Sequence, residues 1–256
     1  IVITAGKSMR ANGYLDRLIA MLDKQGIGHA LFDKILPNPV LRHVHEGAAL
    51  AREQGCDFVI GLGGGSSIDS AKSIAVMAKN PGDYWDYISG GSGKGQPLVN
   101  GALPIVAIAT TAGTGSETTC WATIWDPTKD CKRSIESRDN YAWAALVDPD
   151  LAAGMPIGLA VSSALDAMAH AVESYWARAT NCVSRALALQ AVRTIMGAMD
   201  DLLDGKPQAH DAMAQGSMLA GLAFSNTKTT ACHSISYPLT IHYHIPHGAA
   251  VSLLLA

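Results

Sequence analysis

The sequence predicts two architectures in succession, a parallel α/β domain over residues 1–153 and an all-helical domain over residues 154–256. Short apolar runs alternate with amphipathic segments in the first part, which is typical of a parallel sheet covered by helices. After Met155, Ala, Leu and Met recur at helical spacing and no segment has the pattern of a strand. A hydrophobic content of 48% with 16% charged residues indicates a well-buried globular protein.

The strands of the α/β domain are predicted from short apolar runs bounded by turn residues. They cover residues 1–4, 28–33, 56–62, 104–110 and 144–147, with a hairpin over 123–134. Helices are predicted between them over residues 8–25, 37–54 and 68–79, and a surface loop over 81–100. The helical domain has predicted helices over residues 159–177, 182–203 and 209–223.

Composition excludes several classes of partner. A formal net charge of −3 gives no reason to expect nucleic acid or an anionic membrane surface. No apolar run approaches the roughly 20 residues of a membrane span, and the first residues lack the pattern of a signal peptide. The five cysteines are odd in number and lack CxxC spacing, which predicts free thiols in a reducing cytoplasm. The chain opens inside a predicted strand and closes on an apolar run, so we expect a fragment of a longer protein.

Two glycine-rich segments follow predicted strands. The first is Gly61-Leu-Gly-Gly-Gly-Ser-Ser-Ile-Asp-Ser-Ala-Lys72, and the second is Thr110-Thr-Ala-Gly-Thr-Gly-Ser-Glu117. Glycines at such positions let backbone N–H groups approach an anion at the N-terminus of a helix. Two such loops at neighbouring strand ends fit a nucleotide across the carboxyl edge of the sheet. The first loop departs from G-x-G-x-x-G and from a Walker loop, and a tight turn without a ligand is the alternative.

A candidate metal site begins on the helix predicted over residues 159–177. Asp166 and His170 stand one turn apart on the same face, at i and i+4. Downstream, His233 and His247 complete a set of one carboxylate and three imidazoles that suits Zn²⁺ or Fe²⁺. The alternative for the first two residues is a hydrogen-bonded pair that stabilises the helix. Glu173, one turn beyond His170, supports this site or is simply exposed.

Four segments occur in an order that resembles the iron-containing (group III) alcohol dehydrogenase family. They are GGGSSIDSAK, TTAGTGSE, LDAMAHAVESY and CHSISYPLTIHYHIPHG. The resemblance implies a Rossmann-like nucleotide-binding domain followed by an all-α domain, an architecture shared with dehydroquinate synthases. In that family the active site lies in the cleft between the domains, and the proteins are longer at both ends. A homo-oligomer, a dimer, is expected.

The resemblance also implies roles for individual residues. The metal ligands of the family fall on Asp166, His170, His233 and His247. The nucleotide-binding positions fall on Gly63, Gly64, Gly65, Ser66, Asp69, Thr110, Thr111 and Thr114. Asn38, Trp121 and Phe224 fall where the family lines the substrate and nicotinamide pocket, with a core or turn role as the alternative.

The reaction implied by the resemblance is hydride transfer between NAD(H) or NADP(H) and a small aldehyde or alcohol. An Fe²⁺ or Zn²⁺ ion would act as a Lewis acid on the substrate oxygen, which agrees with the chemistry of the ligand set. Many relatives carry a second histidine four residues after the third ligand, where this chain has Tyr237. A phenol with a pKa near 10 relays protons poorly near neutrality. Tyr237 is therefore expected to orient the substrate, with His242 or water moving protons.

Two lysines are further departures from the family. NAD-preferring relatives often place an Asp at the end of the first strand, and here Lys7 follows that strand. Lys7 with Ser8 is predicted to accept a 2′-phosphate, which favours NADP(H) or dual use, unless Lys7 merely starts a helix in solvent. Lys228 precedes ligand His233 and predicts a substrate with a phosphonate, sulfonate or carboxylate beside its aldehyde, as in phosphono- or sulfoacetaldehyde reductases. A solvated Lys228 is the alternative.

The sequence leaves two alternative functions open. A dehydroquinate synthase-like lyase would use the same architecture, although its polyol phosphate substrate requires a basic pocket that the sequence does not suggest. A non-catalytic nucleotide-binding fragment is the other rival, against which the intact set of four metal ligands argues.

Overall fold

The computed structural model describes residues 1–91, 93–129 and 131–255. Contacts divide the chain into two compact units. The sheet unit comprises Ile1–Ala109 and Cys120–Leu146, and the helical unit comprises Thr110–Thr119 and Val147–Ala256. The predicted boundary between residues 153 and 154 stays a prediction, because the helical unit also takes in a segment of the N-terminal half.

Strands occur in the N-terminal part of the chain, as predicted. They are β1 Val2–Gly6, β2 Ala30–Ile35, β3 Val59–Gly63, β4 Ile105–Ala109, β5 Trp121–Asp126, β6 Cys131–Glu136 and β7 Ala144–Val147. One sheet has the order β2-β1-β3-β4-β7, and β5 and β6 form a separate antiparallel hairpin. The pairs β1–β2, β1–β3 and β3–β4 are parallel. Because β2 and β3 lie on opposite sides of β1, the topology switches beside β1, where ligands bind at the carboxyl ends of such sheets.

Four α-helices lie among the described residues of the sheet unit. They are α1 Lys7–Ala11, α2 Tyr14–Lys24, α3 Leu41–Glu53 and α4 Gly65–Lys79. The prediction of one helix over residues 8–25 is wrong, because the chain breaks between α1 and α2. Gly13 there adopts a left-handed conformation with φ 75°, and an α-helix cannot continue through it.

The prediction of a surface loop over residues 81–100 is also wrong in part. Residues Tyr84–Tyr87 form a short 3₁₀ helix whose three aromatic side chains are buried in the core of the sheet unit. The indole N–H of Trp85 donates to Asp126 at 2.7 Å, and the Tyr84 hydroxyl donates to the Ala122 carbonyl at 2.7 Å. The segment is rich in polar residues, which is why a loop was predicted, but its aromatic side chains bind it to the β5–β6 hairpin.

The helical unit contains six α-helices within the described residues. They are α5 Pro149–Ala152, α6 Ile157–Trp176, α7 Cys182–Leu203, α8 Gln208–Phe224, α9 Ala231–Tyr243 and α10 His247–Leu255. The core between α6, α7 and α8 is built mainly from alanines, which let helices approach closely. The last two helices were not predicted, and Pro238 inside α9 obscures the pattern of that helix.

The second glycine-rich loop packs within the helical unit. A Cβ added to Gly113 would lie 2.8 Å from Cβ of Ser163 on α6. Gly115 has φ 59°, and its hypothetical Cβ would lie 2.6 Å from Cα of Gly221 on α8. These glycines therefore allow the loop to lie directly on two helices, a role that the sequence did not indicate.

The structure confirms the predicted fold class, a parallel sheet in the N-terminal part followed by a helical C-terminal part. No helix among the described residues is both long and apolar enough to span a bilayer. All five cysteines are free thiols, as their number and spacing predicted.

Candidate metal centre and nucleotide loop

Helix α6 supplies three polar side chains to one buried stripe. Asp166, His170 and Glu173 stand at offsets of zero, four and seven residues, which brings them to the same face over two turns. From Leu159 onward the helix contains neither Pro nor Gly, and its many alanines favour helix formation. All three side chains are buried, and Glu173 is 0% exposed. Burying three ionisable groups is costly unless each finds a partner or a ligand.

Two histidines from later helices meet Asp166. The Oδ1 atom of Asp166 lies 3.5 Å from Nε2 of His233 on α9 and 3.8 Å from Nε2 of His247 on α10. Ligand atoms of these three residues all lie within 4.8 Å of one another. Tetrahedral ligands at about 2.1 Å from one ion stand about 3.4 Å apart, so the separations suit a shared cation.

His170 lies beside this set of three. Its ring stacks between Phe224, with centroids 4.2 Å apart, and His233, also at 4.2 Å. Its Nδ1 atom is 4.0 Å from the other oxygen of Asp166. The structure thus holds His170 against two of the other predicted ligands, and its role as the fourth ligand stays a prediction.

The carboxylate of Glu173 contacts α9. Its Oε2 accepts a hydrogen bond from Nδ1 of His233, and its Oε1 accepts from the backbone N–H groups of Thr230 at 3.1 Å and Cys232 at 2.8 Å. The Thr230 hydroxyl donates to the same oxygen at 2.6 Å. Sequence reasoning left Glu173 open between a supporting role and exposure, and the structure buries it against a predicted ligand. The spacing of seven residues from Asp166 was the available signal.

The charges of the cluster favour a cation. Burial opposes ionisation of Asp166, but attraction to His170 and the other histidines outweighs it and holds the pKa of Asp166 well below its usual range. Burial lowers the pKa of His170 to about 3. For His233 the effect of burial is overcome by the nearby carboxylates of Asp166 and Glu173, which raise its pKa to about 9. Two buried carboxylates therefore remain ionised and concentrate negative charge around the histidines.

Unsatisfied polar atoms test whether the residues fit a metal ion. Within the described part of the chain, Oδ1 of Asp166, Nδ1 of His170 and Nε2 of His233 are buried and accept or donate no hydrogen bond. Buried polar atoms without a partner are rare and need an explanation such as an ion. One carboxylate oxygen and imidazole nitrogens are suitable ligands for Zn²⁺ or Fe²⁺, so the residues fit the group.

The two other predicted catalytic residues are placed differently. Tyr237 is half-buried, and its ring stacks with that of His247 at a centroid distance of 6.0 Å. Lys228 is exposed, in a left-handed conformation with φ 70° after the end of α8. The argument from a buried lysine is therefore wrong for Lys228, and its exposure agrees with the solvated alternative.

The first glycine-rich loop joins β3 to α4 at the topological switch point. Gly63 ends β3 with φ 143°, and α4 begins at Gly65 with Gly64 as its N-cap. Gly64 has no side chain that could cap this helix, and backbone N–H groups in the first turn of a helix are suitable donors to an anion. Gly64, Gly65 and Ser66 are only half-buried. The loop thus has the backbone donors of an anion site at the end of the sheet where ligands bind.

Other predicted cofactor contacts have structural partners or remain untested. Asp69 accepts a hydrogen bond from the Thr123 backbone at 3.2 Å, which ties α4 to β5. Thr110 is buried, whereas Thr111 and Thr114 are half-buried. Lys7 is exposed at the start of α1. Their roles in binding a nucleotide stay predictions.

The residues predicted to line the nicotinamide pocket are divided between the units. Asn38 has φ 59° and accepts a hydrogen bond from Lys132 at 2.6 Å. The carbonyl of Trp121 accepts from Lys72 at 2.9 Å, and Lys72 is fully buried. Phe224 lies in the helical unit against His170. Sequence reasoning attached no role to Lys72 or Lys132, since their partners come from distant segments.

Comparison with known proteins identifies the family. The profile of iron-containing alcohol dehydrogenases matches residues 1–149, and the profile of the C-terminal domain of that family matches residues 160–256. The chain belongs to the iron-containing alcohol dehydrogenase family. The resemblance drawn from the four sequence segments is thereby confirmed, without a decision between branches of the family.

Three relatives illustrate the range of the family. The chain is 35% identical to alcohol dehydrogenase 4 of Schizosaccharomyces pombe, over 95% of this chain and 57% of the relative. It is 35% identical to an NAD-dependent methanol dehydrogenase of Bacillus methanolicus, over 98% of this chain and 65% of the relative. The crystal structure of a sulfoacetaldehyde reductase from Bifidobacterium kashiwanohense in complex with NAD⁺ superposes with a TM-score of 0.91 at 31% identity, covering 99% of this chain and 66% of the other. The chain thus spans less than two thirds of the length of these relatives.

Proposed function

We propose that the chain is the catalytic part of a metal-dependent, NAD(P)-linked alcohol dehydrogenase or aldehyde reductase. The observation that carries this proposal is the convergence of Asp166, His233 and His247, together with the buried Oδ1 of Asp166 and Nε2 of His233, which make no hydrogen bond among the described residues. Membership of the family and the activities named for the relatives support an oxidoreductase that acts on a small alcohol or aldehyde.

Asp166, His170, His233 and His247 are proposed to hold one divalent ion, Fe²⁺ or Zn²⁺. When bound there, such an ion supplies Lewis-acid polarisation of a carbonyl or alcohol oxygen. Asp166 contributes the negative charge of the set, and the stacking of Phe224 on His170 fixes the plane of that imidazole. The family name favours iron, while the residue types accept both metals.

The cofactor is proposed to bind at the first glycine-rich loop. Backbone N–H groups of Gly64, Gly65 and Ser66 at the start of α4 would donate to the pyrophosphate, and Gly64 has no side chain that could cap the helix instead. The names of two relatives specify NAD. Lys7 at the end of β1 is exposed and available to a 2′-phosphate, which is the basis for proposing NADP(H) as an alternative.

Tyr237 is proposed to orient the substrate beside His247. Its ring lies against that imidazole, and a tyrosine hydroxyl can donate a hydrogen bond to a substrate oxygen. Proton transfer is then proposed to involve His242 or water.

An anionic aldehyde is the proposed substrate class, with Lys228 as its partner. One relative in complex with NAD⁺ is named a sulfoacetaldehyde reductase, which supports an anionic substrate. An exposed lysine provides only a weak, screened attraction, so the contribution is expected to be modest. A cytoplasmic location, supported by five free cysteines, and a homodimer are proposed as well.

A combined assay tests the proposal. Freshly purified protein would be analysed for bound iron and zinc, then assayed with NADH and NADPH against neutral and anionic aldehydes. Steady, metal-dependent consumption of reduced cofactor is the expected result, and removal of the metal with a chelator should abolish it. Nucleotide binding without turnover of any aldehyde would instead favour the lyase-like or non-catalytic rivals.

A further inference from the structure

The N-terminus of α9 is capped by a residue from another helix. Thr230 occupies the N-cap position, yet its side chain makes no capping hydrogen bond. Instead, Oε1 of Glu173 accepts the backbone N–H groups of Thr230 and Cys232, at 3.1 and 2.8 Å. A carboxylate at this position satisfies orphan donors and interacts favourably with the helix dipole.

The second oxygen of the same carboxylate contacts a predicted metal ligand. Oε2 of Glu173 accepts from Nδ1 of His233, so the proton of the neutral ring resides on Nδ1. The lone pair is then on Nε2, which faces Oδ1 of Asp166 at 3.5 Å. A single carboxylate thus fixes both the position of the helix that carries His233 and the tautomer of its ring.

Glu173 also joins two of the three helices that supply the predicted ligands. It lies on α6, on the stripe that carries Asp166 and His170, and its carboxylate accepts hydrogen bonds from the start of α9. The side chain is fully buried and tied by four hydrogen bonds from Thr230, Cys232 and His233, which restrains both helices. Partners of this kind commonly orient metal-binding histidines.

We propose that Glu173 is a positioning residue that orients His233 for metal binding by holding its Nδ1–H tautomer and anchoring α9 to α6. The inference rests on the proposed function, in which His233 is a ligand. The competing explanation is that Glu173 only caps α9, in which case metal affinity would follow helix stability.

Two variants separate the explanations. Glu173→Gln keeps the size and one carbonyl oxygen for the N–H groups of Thr230 and Cys232, but presents an NH₂ group to His233. That group favours a lone pair on Nδ1 and a proton on Nε2, which is the wrong tautomer for the proposed site. Thr230→Val is the matched control, because it removes the hydroxyl bonds to Glu173 and Trp176 at the same helix start and leaves the bond to His233.

Metal affinity is the first readout. Zn²⁺ would be titrated into metal-free protein in competition with a chromophoric chelator. For Glu173→Gln we expect the Kd to rise about 10- to 100-fold, the range typical of residues that orient a metal-binding histidine. For Thr230→Val we expect a lower melting temperature but a Kd within about threefold of wild type. An unchanged Kd for Glu173→Gln, or equal losses in both variants, would overturn the proposal.

The tautomer of His233 is the second readout and needs no metal. Long-range ¹H–¹⁵N spectra of metal-free protein would be recorded at increasing pH until the ring of His233 is neutral, because they report directly which ring nitrogen carries the proton. We expect the Nδ1–H tautomer in wild type and a shift toward Nε2–H in Glu173→Gln; identical tautomers would refute the positioning role. Should wild-type protein fail to bind Zn²⁺, the proposed metal site is rejected while this spectrum still decides the role of Glu173.

Discussion

The candidate metal centre of Asp166, His233 and His247 (here called the cluster) and the first glycine-rich loop are built in opposite ways. The cluster takes side chains from α6, α9 and α10, separated by up to 81 residues between Asp166 and His247, whereas the loop uses the backbone of consecutive residues between β3 and α4. A cluster of side chains is sensitive to loss of a single functional group. A loop of backbone donors is sensitive to the addition of a Cβ, because its shape and not its side chains makes the site.

The largest expected effect comes from removing the carboxylate of the cluster. Asp166→Asn replaces a buried anion with a neutral amide, which is a poor ligand and removes one of the two carboxylates beside the histidines. We expect bound metal to fall below detection and kcat/KM to drop by about 10³-fold or more, beyond the effect of losing an orienting partner. Metal analysis and initial rates measure both quantities.

An exposed aspartate of the same unit serves as the control. Asp204→Asn alters a surface ion pair with Lys206 and should leave metal content and rates unchanged. If Asp166→Asn retained metal and activity at the level of this control, the assignment of the cluster would be wrong.

A Cβ in the first glycine-rich loop should give the next effect. Gly63→Ala forces a non-glycine residue to φ 143° and brings its Cβ to 2.9 Å from Cβ of Ser67. We expect a stability loss of about 1–3 kcal/mol and NAD(H) binding weakened about tenfold or more, because the start of α4 shifts. Metal content should stay at the wild-type level, since the cluster does not depend on this loop.

Fluorescence titration with NADH, urea unfolding and metal analysis check this prediction. Gly28→Ala is the matched control, since its Cβ would meet no atom within 4 Å. If a folded Gly63→Ala protein bound NADH with wild-type affinity, the loop would not be sensitive to an added Cβ, and the contrast between the two sites would be wrong.

The comparison also explains how much could be predicted from sequence. The offset of four residues between Asp166 and His170 predicted a shared helix face, because helical geometry is local. The convergence of His233 and His247 on Asp166 is a tertiary fact, and without the resemblance to a family only the residue types suggested it. The position of the first glycine-rich loop between a strand and a helix was predicted correctly, because a buried strand, a glycine cluster and a helix follow one another directly in the sequence.

Errors arose where local pattern and tertiary packing disagree. Gly13 interrupts a segment whose apolar pattern continues as one helix, and the break follows from its positive φ. The 81–100 segment has a loop composition, yet Tyr84 and Trp85 are buried by partners some 40 residues away. Packing of Gly113 against α6 could not be predicted, because nothing in the order of residues indicates which helix the loop contacts.

The second glycine-rich loop differs from the first, because its glycines allow the loop to pack closely against α6 and α8. Gly113→Ala would place a Cβ at 2.8 Å from Cβ and 2.9 Å from the carbonyl oxygen of Ser163. We expect a loss of about 1–3 kcal/mol in the free energy of unfolding from overpacking. Gly197→Ala on α7 has open space and should instead stabilise by up to about 1 kcal/mol.

Urea denaturation of both variants tests this prediction, because the free energy of unfolding should fall for Gly113→Ala and rise for Gly197→Ala. A Gly113→Ala protein as stable as Gly197→Ala would show that the loop does not depend on contact with α6. If Gly113→Ala bound NADH more weakly without a loss of stability, the loop would serve cofactor binding and not packing.

The smallest effect is expected for Lys228. Lys228→Met removes an exposed charge, so stability should change by no more than about 0.5 kcal/mol. If the side chain attracts an anionic group, KM should rise about two- to fivefold for sulfo- or carboxy-substituted aldehydes and stay constant for neutral ones. Equal effects on both classes, or none on either, would remove Lys228 from the account of specificity.

Binding of a divalent ion to metal-free wild-type protein tests the central claim most directly. Calorimetric titration with Zn²⁺, and with Fe²⁺ under anaerobic conditions, should give about one ion per chain, with binding abolished when His233 or His247 is replaced by alanine. Absence of binding in the wild-type chain, or binding that survives both replacements, would contradict the conclusion that these helices assemble a metal centre.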